Sequence, residues 1–433
     1  MVRMTDRARH VEDFRQFVHA SPSAFHAVAE VARRLESAGF VRLDEGSEGL
    51  TPDRGFAVRD AAIVAWLRPE GAPSDTPFRM VGAHTDSPGF KLKPRASFSS
   101  HGWLQAAVEV YGGPILASWL DRELELAGRL VLRDGSERLV RTGPLLRIPH
   151  LAIHLDRSVN EGLQLDKQRH TAPVLATTTG VIASASGPDP LLAHLAGLAG
   201  VGIEEIAGHD LVTVDSAAPA TFGLDGELLA SPRLDNLASV HSALVAFLAD
   251  DGGDRAGGAG AVRVLAAFDH EEIGSVSRSG ADGSFLEDVL ARLTGFDPAA
   301  RARAFAGSWL VSSDVGHSVH PNYAERHDPT QQPVAGGGPI LKVNANQRYT
   351  TDAHGSAMWS RACRAAGVSE QVFVSNNAMP CGSTIGPMAS ARLGIRTVDV
   401  GIPILSMHSA RELCHTADLV SLTAALHSFY TTP

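Results

Sequence analysis

The chain is poor in cysteine, with three among 433 residues: Cys363, Cys381 and Cys414. An odd, low count excludes a disulfide framework and fits a reducing compartment. Positive charge is also short. Lys and Arg number 38 against 48 Asp and Glu, a net charge of −10. Binding a phosphate backbone demands a basic face, so nucleic acid is not expected as the main partner. No apolar run approaches membrane-spanning length. The segment MVRMTDRARHVEDF is charged and lacks the apolar stretch of a signal peptide. Together these absences predict a cytoplasmic protein with no membrane partner. Internal repeats are missing too. What remains is ordinary for a globular protein, 44% hydrophobic and 20% charged. The length exceeds one simple core and suggests two domains.

The first local pattern is helical. Residues 23–38 set Phe25, Val28, Val31 and Leu35 on one stripe, with Ser23 to cap the start and Gly39 the end. AAIVAWLRP and FRMVGAH then read as strands of an α/β domain. From about residue 94 to 229 short strand-like pieces dominate, and Asp134-Gly135 between two of them signals a hairpin. From residue 231 the α/β pattern returns. LDNLASVHSALVAFLADD is a helix with Asp235 in its first turn, where the helix dipole favours a carboxylate. Residues 250–260 and 334–339 are Gly-rich and read as flexible breaks. Strands are expected at 262–268 and in RTVDVGIP.

Side-chain chemistry concentrates where apolar runs end. FRMVGAHTDSPG ends in His84, Thr85 and Asp86, and AVRVLAAFDHEEIGS carries Glu271 and Glu272. SPRLDNLAS offers Asp235, SWLVSSDVGH offers Asp314, and GIPILSMHSAREL offers His408. Ligands gather at the carboxyl ends of strands in an open parallel sheet. Two histidines and several carboxylates there suit a hydrolytic two-metal centre. Paired glutamates supply one ligand and one proton-carrying base. Cys381, in a Gly-rich turn with no base nearby in sequence, reads as a buried structural thiol.

The segments GAHTDSPG, SPRLDNL, DHEEIGS, SSDVGHSVHPNY, KVNANQRYTTDA, MPCGSTIGP and MHSARE resemble, in order, those of the aspartyl aminopeptidases, a family of dinuclear-metal aminopeptidases. The resemblance covers about residues 80–415. It implies a mostly parallel-sheet α/β metallo-aminopeptidase domain, residues 1–93 and 230–433, with an inserted β-rich dimerisation domain, residues 94–229. It also implies a dodecamer built from dimers. The expected activity is removal of N-terminal Asp or Glu from peptides by a two-metal-activated water. Zn²⁺ is the expected ion, with Co²⁺ and Mn²⁺ compatible.

By the same resemblance Asp235 bridges two ions. His84 and Asp314 complete one site, and Glu272 and His408 the other. Glu271 is the general base. Asp86, two residues past His84, is expected to hold that imidazole in its metal-binding tautomer. His270, His317 and His320 are expected to pack or to support the ligands from behind, since successive residues in such loops point different ways. Lys342 matches the position implicated in the pocket for an acidic side chain, with Tyr349 in the same segment and Gly382 and Ser383 as a backbone-lined wall. His154 matches a histidine that crosses the dimer into a neighbouring site, with His150 the competing choice. Two rivals remain: an aminopeptidase of broad or neutral preference, and a catalytically silent oligomeric assembly protein. The presence of every ligand, Glu271 and Asp86 argues against the second.

Overall fold

The computed structural model describes residues 4–47, 51–178, 187–249 and 260–431. The loop expected at 250–260 lies outside them, all but Gly260. Contacts divide the chain into two compact units. One is Met1–Asp86, Pro219–Met407 and Glu412–Pro433; the other is Ser87–Ala218 with His408–Arg411.

The first unit is α/β. Its nine-stranded sheet runs Val41–Arg42, Arg54–Arg59, Ala62–Leu67, Val262–Phe268, Phe78–His84, Trp309–Ser313, Arg396–Gly401, Ile340–Val343, Gln371–Val374. Val262–Phe268, Phe78–His84, Trp309–Ser313 and Arg396–Gly401 are mutually parallel and form the centre. Val262–Phe268 is buried at every residue, which explains why all of it but Arg263 is apolar. Registers align Phe268 with His84, and Ser313 with Val400, so the carboxyl ends of these strands share one edge. Gly401 has a local reason. A Cβ there would overlap the Asp314 carbonyl, so only glycine lets that backbone approach.

Helices cover the sheet. Ala24–Ser37 begins where Ser23 Oγ accepts from His26 N and buries Val28, Val31 and Leu35, with Gly39 beyond its end at φ +83°. Leu234–Leu248 and Thr416–Thr431 pack in the same core, with Leu237, Leu244, Leu422 and Phe429 buried. A second, five-stranded sheet contains Ala220–Phe222, Leu228–Ser231, Glu412–His415, Pro403–Leu405 and Gly316–His317. Residues 334–339 are pinned where a flexible break was expected. The amides of Gly336 and Gly338 donate to buried Asp418 at 2.7 and 2.9 Å. Cys381 is half-buried rather than buried, packed against the Ile340, Tyr349 and Phe373 cluster.

The second unit holds a six-stranded antiparallel sheet, ordered Glu137–Arg141, Leu124–Leu132, Ile206–Asp215, Gly89–Ser100, Trp103–Tyr111, Val174–Thr177. Its core includes Phe90, Trp119, Leu126, Leu130 and Leu211, with Leu191 and Leu195 of the helix Pro190–Ala199. The turn at Asp134-Gly135 joins the first two strands, with Gly135 at φ +83° and Asp134 Oδ1 accepting from Ser136 N. The sequence reading put the insert at 94–229, and the unit's own contacts put it at 87–218. A strand begins at Gly89, directly after the His84 loop, while Leu228–Ser231 pairs with Glu412–His415 in the other unit's sheet. Among the described residues no helix is long and apolar enough to cross a membrane.

Candidate metal centre

The parallel strand ends deliver the side chains. His84 is the last residue of its strand, Asp314 follows Trp309–Ser313, and Glu271 and Glu272 follow Val262–Phe268 in a 3₁₀ turn. Asp235 comes from the start of the helix Leu234–Leu248, but not as a regular first-turn residue. Its φ and ψ of −80° and 101° are non-helical, so the backbone leaves the helical path at this residue.

His84 Nε2 lies 3.1 Å from Asp235 Oδ1, 3.6 Å from Asp314 Oδ1 and 3.9 Å from Glu271 Oε2. His84, Asp235 and Asp314 form one potential ion-holding group, and His84, Glu271 and Glu272 another. His84 Nε2 and Asp314 Oδ1 are buried and make no hydrogen bond, although both face the same point. Two ligands about 2.1 Å from a tetrahedral ion sit roughly 3.4 Å apart, close to these separations. The donor set of imidazole and carboxylate suits zinc. The residues present therefore fit a divalent metal.

Electrostatics agree. Asp86, Asp235, Glu271, Glu272 and Asp314 crowd one imidazole. Burial opposes a charged His84, but Asp235, Asp314 and Asp86, with Glu271 farther off, outweigh it and hold the ring well above its usual range. Burial first, then the charges of Asp314, Asp235 and Asp86 against the pull of His84, push Glu271 up to about 8. Burial and Asp235 push Glu272 up as well. So dense a set of buried carboxylates is costly unless a cation offsets it.

A surrounding layer sets the orientation. His84 Nδ1 donates to Asp86 O at 3.1 Å and lies 3.4 Å from Asp86 Oδ1, so a cation that displaces the other ring proton would meet the Nε2 lone pair on the side of Asp235 and Asp314. The Asp86 carboxylate reaches further than expected. It accepts from the amides of Glu271 and Glu272 at 3.1 and 3.2 Å, tying the His84 strand to the glutamate turn. Two residues were missed from sequence. Glu412 Oε2 accepts from Asp235 N at 3.0 Å, and Asn236 Nδ2 donates to Ser313 O at 2.9 Å. Both sat in quoted motifs, MHSARE and SPRLDNL, but nothing in spacing told that their partners lay across the fold.

Lys342 is not turned to open solvent. It is 2% exposed, and its Nζ lies 2.6 Å from Val315 O and 3.2 Å from Asp314 Oδ2. Buried Tyr349 sits with its ring centroid 5.4 Å from that ammonium. Exposed Gly382 accepts from Arg348 Nε, and Ser383 Oγ donates to Arg348 O, both at 3.3 Å. His270 Nδ1 faces Ser277 Oγ at 2.8 Å, and the His317 ring packs on Phe373. The amide of His320 donates to His327 Nε2 at 3.0 Å.

His408 belongs to the segment His408–Arg411 of the second unit, where its Nδ1 donates to Gly113 O at 3.0 Å. In the same unit His154 is exposed in a turn between exposed Leu151, Ile153 and Leu155. His150 is half-buried, with its amide held by Asp121 Oδ1 at 3.1 Å.

The model of the family described as aminopeptidase I zinc metalloprotease (M18) matches residues 17–430. The chain belongs to the M18 family. It is therefore a metallo-aminopeptidase of a zinc-dependent family, the aspartyl aminopeptidase family to which the sequence motifs pointed. A probable M18 family aminopeptidase 2 of Streptomyces avermitilis is 55% identical over 428 residues, 97% of each chain. One from Pseudomonas aeruginosa is 42% identical over 424 residues, 96% of each. Among solved structures, a chain of the Ape4 and Nbr1 complex superposes with a TM-score of 0.92 at 35% identity, covering 99% of this chain and 87% of that one. The S. cerevisiae mApe1 dodecamer gives 0.85 at 26% identity, covering 98% and 97%. These M18 neighbours share the mixed, mostly parallel α/β fold.

Proposed function

We propose that this M18 enzyme removes N-terminal Asp or Glu from peptides, using two divalent ions per subunit and Glu271 as general base. The observation that carries the reading is the convergence of His84 Nε2 with Asp235 Oδ1 and Asp314 Oδ1 at 3.1 and 3.6 Å, with Glu271 Oε2 standing 3.9 Å from the imidazole. Asp235 is the proposed bridging ligand, with His84 and Asp314 on one ion and Glu272 and His408 on the other. His408 suits a ligand role because its Nδ1 proton is spent on Gly113 O, which puts the lone pair on Nε2. Bound zinc would polarise the peptide carbonyl and activate water. Glu271 takes the proton from the attacking water and passes it to the leaving amine. Asp86 keeps that carboxylate in place by holding the amides of Glu271 and Glu272.

The acidic preference rests on Lys342 as the buried cation beside the cluster, 3.2 Å from Asp314 Oδ2. A substrate carboxylate entering along Tyr349, Gly382 and Ser383 would meet that ammonium. The second unit pairs subunits, with exposed His154 completing the neighbour's pocket, and the pairs build a dodecamer like that of S. cerevisiae mApe1. Free Cys363, Cys381 and Cys414 support a reducing, cytoplasmic location.

The test is chelation and reconstitution with Zn²⁺, Co²⁺ or Mn²⁺, followed by hydrolysis of Asp-, Glu- and Leu-derived substrates. Native mass spectrometry of the same samples gives ions per subunit and assembly size. Two ions, twelve subunits and faster turnover of the acidic substrates are expected. Faster hydrolysis of the Leu substrate would overturn the specificity, and one ion at full activity would overturn the dinuclear mechanism.

A further inference from the structure

Asp399 is a fully buried carboxylate with no cationic partner among the described residues. It stands in the strand Arg396–Gly401, beside the Asp314 strand, in register with Ser312. Its Oδ2 accepts from both the amide and the hydroxyl of Thr350 at 2.6 Å. Its Oδ1 accepts from Thr384 Oγ1 at 2.5 Å. Thr384 in turn caps the helix Ile385–Leu393 by accepting from Gly386 N at 3.2 Å. Gly386 leaves room for the carboxylate, since a Cβ there would lie 2.6 Å from Asp399 Oδ1. Burying an unpaired carboxylate is costly. Here three charge-assisted donors and a helix N-terminus offset that cost.

The two threonines belong to different loops, which touch each other, and the first passes beside Lys342. Thr350 follows Tyr349, whose ring lies by the Lys342 ammonium. Thr384 follows Gly382 and Ser383, which bond to Arg348 of the first loop. One carboxylate thus fastens the segments 344–351 and 381–384 to the same strand.

We propose that Asp399 is a positioning residue for substrate binding: it clamps these two loops into a single wall beside Lys342. The inference rests on the aminopeptidase reading only for its kinetic arm. Without the clamp, the wall loses its fixed geometry while the metal ligands, carried by other strand ends, keep theirs. Binding of the substrate side chain should suffer more than turnover.

Three variants test this: Asp399→Ala, Thr384→Val and Thr384→Ser. For Asp399→Ala and Thr384→Val, KM for an Asp-derived substrate should rise at least tenfold. Their kcat should stay within threefold and their metal content should not change. Hydrogen exchange of the amides in 344–351 and 381–384 should quicken at least tenfold. Thr384→Ser keeps the hydroxyl and should stay within threefold of the parent in both readouts. Unchanged KM, unchanged exchange, or a serine variant as impaired as the valine one would overturn the clamp. Exchange needs no turnover. A parent enzyme inactive on every aminoacyl substrate would sink the functional reading, and the exchange data would still decide the role of Asp399.

Discussion

Replacing Glu271 with Gln isolates proton transfer from metal binding. The two side chains share shape and size. The backbone amide of Glu271, which donates to Asp86 Oδ1 at 3.1 Å, is untouched, so the turn should hold. Glu271 Oε2 lies 3.9 Å from His84 Nε2, farther than Asp235 Oδ1 and Asp314 Oδ1, which with His84 form a group without it. The fold should lose nothing, because burial and neighbouring carboxylates already hold Glu271 up to about 8, and a neutral amide escapes that penalty. What disappears is the base. General-base catalysis supplies roughly 10²–10⁴ in rate, or about 3–5 kcal/mol of barrier. The expected result is a kcat for an Asp-derived substrate lower by at least a hundredfold, with metal content by mass spectrometry and thermal midpoint close to those of the parent. Activity within tenfold at full metal content would refute the role. Loss of an ion would recast Glu271 as a ligand.

Lys342→Leu should lower kcat/KM for Asp and Glu substrates at least tenfold while leaving a Leu substrate little changed; an equal fall for both, with loss of metal, would show that the ammonium serves mainly to hold Asp314, its neighbour at 3.2 Å. Mixing a Glu271→Gln variant with a His154→Ala variant should restore part of the activity that each lacks alone; no recovery in mixed oligomers seen by native mass spectrometry would rule out a shared pocket, and His150→Ala is the control. Stability should fall as pH drops from 6.5 toward 4, because burial, helped by His241 and opposed by Asp13, lowers His10 to about 4 while the unfolded chain takes up the proton near 6.5. The effect is at most about 3 kcal/mol, and chemical denaturation of His10→Gln should show a shallower acid slope; an identical slope would discount it.

Much of the site was legible because each strand here ends in its chemistry. The largely apolar runs before His84, Asp269 and Asp314 mark buried parallel strands, and parallel strands present their carboxyl ends together. The hairpin at Asp134-Gly135 and the helix after Ser23 were legible for local reasons, a left-handed glycine and a capping hydroxyl. The Gly-rich 334–339 segment misled, since composition carries no sign of a buried Asp418 eighty residues away that accepts from its amides.

The sequence by itself determined the ligand types, the paired glutamates, the alternation of α/β and β-rich stretches, and the membership in a metallo-aminopeptidase family. These depend on residue identity and short-range order. Only the tertiary structure decided that Asp235 leaves the helical path, that Asp86 bonds both glutamate amides, that Glu412 holds Asp235, and that Lys342 lies buried against Asp314. The last three are contacts between strands or loops distant in the chain. Such contacts are set by which strand ends meet in the sheet, and no spacing along the sequence encodes a hydrogen bond of 3 Å across it.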